Sequence, residues 1–591
     1  MKVIKKYTLI TVGIYFLVSI VFNSCNDEKL DVVPISQFSN ENVFSNVGST
    51  KLVILGIYQL MTNDEGYSKR LSMYYGVDSD IAKCSGELDN GRRGIARYAA
   101  TSGNLEIEKP MRNLYAGIER ANICIENIPK SVLYKNGSED EQFEMKRMHG
   151  EALTLRALHY YELIRNWGDV PFKLTPSKAG ENFELPKTDR DIIYEYIIND
   201  LLLAQELVPW RSEVPSDERI TKGAVKGLLA RICLARGGYS LRRESNTMER
   251  GSNHLHYYQI ARDQCYEIMQ SGEHMLNPDF EDVFITMCEL ELDTKYGEVM
   301  WEVGFGTYES GEVGYYIANK INASSTFGKS DGGVRALPSF YLSYNDLDVR
   351  RDHTIAFYEI DADDNHILRD FGETFIGKWR REWMDPKLPG EDKFTGINWP
   401  LLRYSDVLLM FAEADNELNN GPSADAINAL VQIRERAFRD NEDQIGTIPT
   451  TYNEFFDAIV DERAWELAGE CLRKHDLIRW NLLDTKLKEM KAELHKIYNM
   501  EAPYDNIPPR LVWRNNGTQI EYLNYNVPMD SLQIATRDSI QWPNVAHWGD
   551  DMDDVYINAV AEFFEPNRKE LLPIHQTIID ENRNLTNDYG Y

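Results

Sequence analysis

Residues 150–172, GEALTLRALHYYELIRNWGDVPF, decide how the chain folds. Leu153, Ala157, Tyr160, Ile164 and Trp167 recur at i, i+4, i+7, i+11 and i+14 and line one face of an α-helix. Ala152, Leu155, Leu158 and Tyr161 cover much of the remaining circumference, and a helix apolar nearly all round is buried on more than one side. Gly168 suits the left-handed residue that ends a helix, and Pro171 cannot continue one. The other long helices are therefore expected to be arranged around this element. Arg156 and Arg165 lie within its apolar surface and need carboxylate or carbonyl partners, which points to a structural use.

Outward from this stretch the helical pattern repeats. Residues 111–128 carry Leu114, Ile118, Ala121, Ile125 and Ile128 on one face, with Pro129 closing the helix and residues 130–141 as a polar connection. Thr188 or Asp189 can cap a helix running to about Leu207. Thr221 opens another, whose Ala224, Leu228, Ala230, Ile232 and Ala235 permit close packing before Gly237 and Gly238, and residues 257–269 form a shorter one. Beyond residue 400, Leu401, Tyr404, Val407, Leu408, Phe411, Ala414 and Leu418 align, Asn420-Gly421-Pro422 breaks, and Ser423 caps an antiparallel partner. Residues 451–480 intersperse Phe456, Ile459 and Leu467 with Arg463, Glu470, Arg473, Asp476 and Arg479, the composition of a buried ion network, and an exposed, turn-rich tail follows from residue 571. The expected fold is mainly α: a tetratricopeptide-like superhelix of helix pairs with few short strands and a loop-rich, aromatic-bearing insert.

At 591 residues the chain is long enough for one elongated repeat or two packed lobes. Its net charge of −30 repels phosphate backbones, which excludes nucleic acid as a partner. Its 33 Tyr, 11 Trp and 22 Phe fill the core and also make half-polar platforms for ligands. Cys124, Cys233, Cys265 and Cys471 lie in helical patterns and read as small buried apolar residues.

Cys25 differs. Lys2, Lys5 and Lys6 precede an apolar run over residues 7–22, shorter than the ~20 residues of a membrane span and interrupted by Thr8, Thr11 and Gly13. Asn23-Ser24-Cys25 then suggests a lipoprotein signal, with Phe22 at a position where leucine is usual. One acyl chain anchors only marginally, so stable attachment needs a multiply acylated Cys25.

The search for catalysis is negative. No HExxH motif or nucleophile elbow occurs, residues 323–330 depart from a phosphate loop at Ala323, and His254 and His256 lack the spacing of a zinc site. Residues 361–365, DADDN, resemble the start of a calcium loop but lack its later glycine and glutamate. Glu462, Glu466 and Glu470 share a helix face, yet Arg463 and Arg473 nearby favour ion pairing over a glycosidase pair. No cofactor or metal is expected.

Several segments together resemble the SusD/RagB family of outer-membrane nutrient-binding lipoproteins: residues 25–31, the 150–172 stretch, ITKGAVKGLLARICLARG, LRYSDVLLMFAEADNE, INALVQIRERA, IVDERAWELAGECLRKHDLIRW and LLPI. Departures lie at His575, where the family has proline, and in the last residues, Asn587-Asp588-Tyr589-Gly590-Tyr591. The resemblance implies a signal peptide over 1–24, a lipidated cysteine and tether over 25–40, helical parts over 41–275 and 401–591, and a ligand- and transporter-facing region over 276–400. It further implies a non-enzymatic protein, lipid-anchored at the outer-membrane surface, that binds a glycan or oligosaccharide and passes it to a SusC-type TonB-dependent transporter. Peptide or glycoprotein cargo, a surface polysaccharide hydrolase and a scaffold with protein partners alone are the alternatives.

Sugar rings present apolar faces that lie on aromatic side chains while their hydroxyls need polar groups at the rim, so a shallow site can be built on loops. Two loop regions have that composition. One holds Tyr74, Tyr75, Asp78, Asp80, Arg97, Tyr98 and Asn104; the other holds Phe305, Tyr308, Tyr315, Tyr316, Asn319 and Phe327. Each aromatic there is a platform or packs beneath a loop; as a platform, Tyr316 is expected to be removable without unfolding the chain. Trp379, Trp383 and Trp399 form a third cluster.

Overall fold

The computed structural model describes residues 40–516, 519–525, 529–547 and 552–591; the expected leader, Cys25 and the tether up to residue 39 lie outside them. Ten helices of fourteen or more residues carry the described fold: α1 (Val47–Thr62), α2 (Glu108–Asn127), α3 (Glu139–Trp167), α4 (Arg190–Ala204), α5 (Lys222–Gly237), α6 (His254–Ser271), α7 (Tyr404–Asn419), α8 (Ala424–Ala437), α9 (Tyr452–Leu467) and α10 (Leu483–Tyr498). None is long and apolar enough to cross a membrane.

Helix α3 occupies the centre the sequence assigns to it, and it begins eleven residues earlier than the apolar stretch, because a capping box closes its start. Ser138 Oγ accepts from the Glu141 amide at 3.3 Å, and Glu141 accepts from the Ser138 amide at 2.8 Å. Glu139, Asp140 and Glu141 complement the positive end of the helix dipole. At the other end Gly168 has φ +75°, and a Cβ there would lie 2.5 Å from Arg190 Nη2. Helix α2 approaches so closely that a Cβ on Gly117 would sit 2.3 Å from His159 Nε2. Arg156 reaches Asp200, Asn122 and the Leu174 carbonyl, and Arg165 reaches Glu162, so both arginines are structural.

Neighbours in sequence are neighbours in space: α2 packs on α3, α3 on α4, α4 on α5, α5 on α6, α6 on α7, and α7 on both α8 and α9. This succession is the expected superhelix of helix pairs. Between α6 and α7 lies the loop-rich insert. Its strand Val299–Val303 pairs antiparallel with Trp399–Arg403, so the insert leaves and returns at one place. Leu401, expected on a helix, is thus in a strand, and α7 begins at Tyr404. Every residue of Trp399–Arg403 is buried, and short apolar runs buried on both faces have no distinguishing period. A four-stranded sheet orders Ala82–Cys84, Val334–Ala336, Phe375–Ile376 and Ile355–Ala356, tying the insert to the N-terminal part.

Beneath the insert lies the ion network. Arg403 reaches Glu298 at 2.8 Å, Glu466 at 2.9 Å and Glu470 at 2.7 Å. Arg350 reaches Glu462 at 2.7 Å, Arg436 reaches Glu466 at 2.6 Å, and Lys378 reaches Glu470 at 2.7 Å. Burial would raise the Glu466 carboxyl, but Arg436, Arg403 and Arg350 hold it below the usual carboxylate range.

The tail is not exposed along its length. Leu571, Ile574 and Leu585 are buried, Trp167 donates from Nε1 to the Pro573 carbonyl at 3.1 Å, and Arg190 donates to the Tyr589 hydroxyl at 3.0 Å. Apolar residues spaced among polar ones carry no helical or strand period, so only the docking partner reveals their role.

Candidate functional site

One buried arginine organises the most aromatic loops of the insert. Arg381 is fully buried, and its hydrogen bonds among the described residues go to backbone carbonyls: it donates from Nε to the Phe327 carbonyl at 3.0 Å, from Nη1 to those of Lys329 and Asp392 at 2.6 and 2.7 Å, and from Nη2 to that of Leu388 at 2.6 Å. Burial pulls its pKa down to about 10. The four bonds fasten residues 327–329 to residues 388–392. At the junction Gly328 has φ +81°, and a Cβ would meet the Leu388 carbonyl oxygen at 2.1 Å.

The clamped loops and the segments beside them carry half-buried aromatic rings, Tyr308, Tyr315, Phe327 and Phe394, with cations beside the last three. Lys387 Nζ lies 4.1 Å from the Phe327 ring centre, Lys393 Nζ 4.7 Å from that of Phe394, and Lys329 Nζ 5.8 Å from that of Tyr315. Arg92 lies 4.5 Å from the Tyr316 ring. The buried Glu312 carboxylate accepts from Lys69 at 3.0 Å and Lys393 at 2.6 Å. Tyr308 holds φ +61°, an outlier for a bulky side chain, and donates its hydroxyl to the Pro386 carbonyl at 3.1 Å. Backbone held in such a region costs about 1–3 kcal/mol and persists where surrounding contacts impose it. The arrangement offers flat apolar surface, fixed amines and a paired carboxylate. It contains no nucleophile with an activating base, and no cluster able to hold a metal occurs among the described residues.

The structure divides the sequence-predicted residues sharply. Tyr308, Tyr315 and Phe327 stand on this face. Phe305, Tyr316 and Asn319 are buried behind it: Tyr316 meets Cys84 Sγ at 3.4 Å and Tyr74 edge-on, and Asn319 donates to Glu382 at 3.2 Å. The expectation that Tyr316 is a removable platform is therefore corrected, since it is only 1% exposed and fills core. The first region is structural as well. Tyr75 donates to the Glu106 carbonyl and packs edge-on against Trp167; Tyr98 donates to the Asp78 carbonyl; Asn104 donates to the Gly91 carbonyl. The buried Asp78 carboxylate accepts from the Cys84 and Ala561 amides, stapling this region to the C-terminal part, and burial raises its pKa to about 6. Asp80 pairs with Arg473 at 2.6 Å, and Arg97 donates to the Gly86 carbonyl. Tyr74 is buried under Arg92. Tyrosines and acids in a segment without period look alike whether water or another segment covers them.

Trp379 and Trp399 are buried and stacked 5.0 Å apart, and Trp383 stacks on the buried His353 ring at 4.6 Å, so the third cluster is largely core. Asp361 closes the hairpin between strands Tyr358–Ile360 and His366–Leu368, accepting from the amides of Asp363 and Asn365 at 2.9 Å each. Sequence reasoning missed Arg92, Glu312, Arg381, Lys387, Lys393 and Phe394. The only signal for all of these but Arg92 was their place in the same irregular insert.

A model of the SusD family matches residues 338–591, and a model described as starch-binding associating with outer membrane matches residues 88–234. SusD-like protein P25 of Formosa agariphila is 26% identical over 564 residues, covering 86% of this chain and 94% of that protein. A solved SusD homolog from Bacteroides thetaiotaomicron superposes with a TM-score of 0.75 at 23% identity, covering 93% of this chain and 98% of that one. Surface glycan-binding protein A from Bacteroides uniformis superposes with a TM-score of 0.61 at 17% identity, covering 92% of this chain and 100% of that one. At these identities the superpositions establish the fold.

Proposed function

This chain belongs to the SusD family, and we propose that it is a surface glycan-binding lipoprotein, anchored at the outer membrane through Cys25, that passes an oligosaccharide to a SusC-type TonB-dependent transporter. The observation that carries the reading is the set of half-buried rings on these loops, three of them with lysines alongside, where Arg381 fastens the Phe327 segment to residues 388–392. A pyranose ring laid on Tyr315 or Phe327 removes apolar surface of both partners from water, and the neighbouring amines donate to its hydroxyls. Binding of this kind breaks no bond. Release to a transporter follows from differential affinity between open and closed states of the pair. The likeness to a surface glycan-binding protein of Bacteroides uniformis supports the ligand class, and the outer-membrane association of the matching family model supports the location.

The test is calorimetry of the chain from Asn26 onward against a panel of neutral oligosaccharides, with chromatography of the ligand afterwards. Saturable heat with one glycan class, weakened about tenfold by Phe327→Ala and leaving the ligand intact, is the expected result. Cleavage products select a hydrolase; silence toward glycans with heat from peptides selects peptide cargo. Either outcome removes the glycan-delivery reading.

A further inference from the structure

A groove of about 590 Å³ lies between the short helix Pro338–Ser343 and the loop that follows α10, and it shares no lining residue with the loop face. Sites for small ligands run to roughly 300–1,000 Å³ and combine apolar walls with a few convergent polar groups. Here the walls are tyrosines. Tyr341 and Tyr344 are buried with their rings against the groove, and Tyr504 and Tyr525 are half-buried across from them. Their hydroxyls are tied: Tyr344 donates to the Trp465 carbonyl at 3.0 Å, Tyr504 donates to Glu493 at 2.7 Å, and those of Tyr341 and Tyr525 bond to each other. Tied hydroxyls fix the rings, so a ligand meets apolar ring surface more than free phenol.

The charges within the groove cancel. Arg351 bonds to Asp346, an exposed rim residue, and to Asp352 at 3.0 Å, while its guanidinium lies 4.8 Å from the Tyr341 ring. A phosphate or carboxylate would face Asp346, and a cation would face Arg351, so neither charge sign is favoured. Asn345 and Asn506 stand exposed on the rim, and an amide side chain both donates and accepts. No lining residue belongs to a strand, which leaves an extended peptide without backbone partners there. A neutral molecule with flat apolar faces and peripheral hydroxyls satisfies all of these surfaces. We propose that this groove is a second binding site, for a short neutral oligosaccharide, independent of whether the loop face binds anything.

The test uses the chain from Asn26 onward and four soluble probes: maltohexaose, laminarihexaose, cellohexaose and xylohexaose, titrated calorimetrically. Tyr504→Ala is expected to weaken binding of at least one probe at least tenfold, Tyr504→Phe to leave it within threefold because the ring remains, and Phe327→Ala on the loop face to leave this component unchanged. Asn506→Trp fills the rim without removing any wall, so it should abolish the same component even if Tyr504→Ala disturbs folding. Binding of all four probes indifferent to both Tyr504→Ala and Asn506→Trp overturns the second site, as does absence of binding by every probe. Sensitivity to Phe327→Ala alone supports the loop face and removes the groove.

Discussion

Arg403 and Arg381 are both fully buried, yet they meet opposite partners. Arg403 is surrounded by the carboxylates of Glu298, Glu466 and Glu470, which outweigh the burial that would lower its pKa and hold it well above the ordinary value. Arg381 donates to four backbone carbonyls, and burial, which outweighs the nearby Asp392 charge, pulls it down to about 10. The first arrangement locks α7, α8 and α9 against the insert through charge. The second locks loop to loop through dipoles, leaving the neighbouring lysines to lie over ring faces at the surface. The difference separates a scaffold held by buried ion pairs from loops held by backbone carbonyls, whose aromatic rings stay half-buried at the surface with lysines over them.

The comparison breaks most severely at Arg403. Arg403→Met strands buried carboxylates, and removing one partner of a buried pair typically destabilises by about 3–5 kcal/mol; urea unfolding should show that loss, and a loss below 1 kcal/mol would mean the network is not cooperative. Next comes the adjacent pair Tyr315 and Tyr316. Tyr316→Ala empties a core position and should lower stability by about 3 kcal/mol, measured by the same unfolding curves. Acid should act on the scaffold in the same direction. The Glu466 and Asp406 carboxyls are held below the usual range by flanking arginines despite burial. Their contribution is therefore complete above the unfolded value of about 4.3 and is lost as pH falls toward the folded values. An unfolding free energy from urea curves lower at pH 3 than at pH 6 by about 2 kcal/mol or more is expected, with a smaller change in Arg403→Met, where Glu466 loses one of its three arginines while Asp406 keeps Arg463 and Arg231.

Smaller effects sharpen the other side. Tyr315→Ala should leave the unfolding curve within about 0.5 kcal/mol and weaken glycan binding about tenfold, or about 1.4 kcal/mol. If it unfolds the chain instead, the face is core. Smallest is Lys387→Ala, which removes a cation lying over Phe327. An exposed contact of this kind contributes about 0.5–1 kcal/mol, so calorimetry should show affinity falling only about two- to fivefold.

The helical scaffold was readable because its signals are local. The i, i+4, i+7 spacing of α3, the break at Asn420-Gly421-Pro422 and the Ser423 cap depend on neighbours within a turn or two, and the structure places each as expected. The charged residues of the ion network were readable as a set, but which arginine meets which acid was not, since Arg403 draws partners from residues 298, 466 and 470. The binding candidates are buried in one region and partly at the surface in the other for the same reason. Tyr98 and Tyr315 sit in similarly irregular sequence, and what separates them is Phe564, which packs on Tyr98 at 5.0 Å from the far end of the chain.

By itself, then, the sequence determined the helix pairs, the central place of α3, the position of the irregular insert and the absence of recognisable catalytic motifs. These follow from periodicity, caps and composition, which act over a few residues. Only the tertiary structure decided which rings face outward, that the tail docks on α3, that Leu401 lies in a strand, and that Arg381 clamps the loops. Each of those depends on burial by segments tens to hundreds of residues away, and burial is a property of the packed chain that no local pattern encodes.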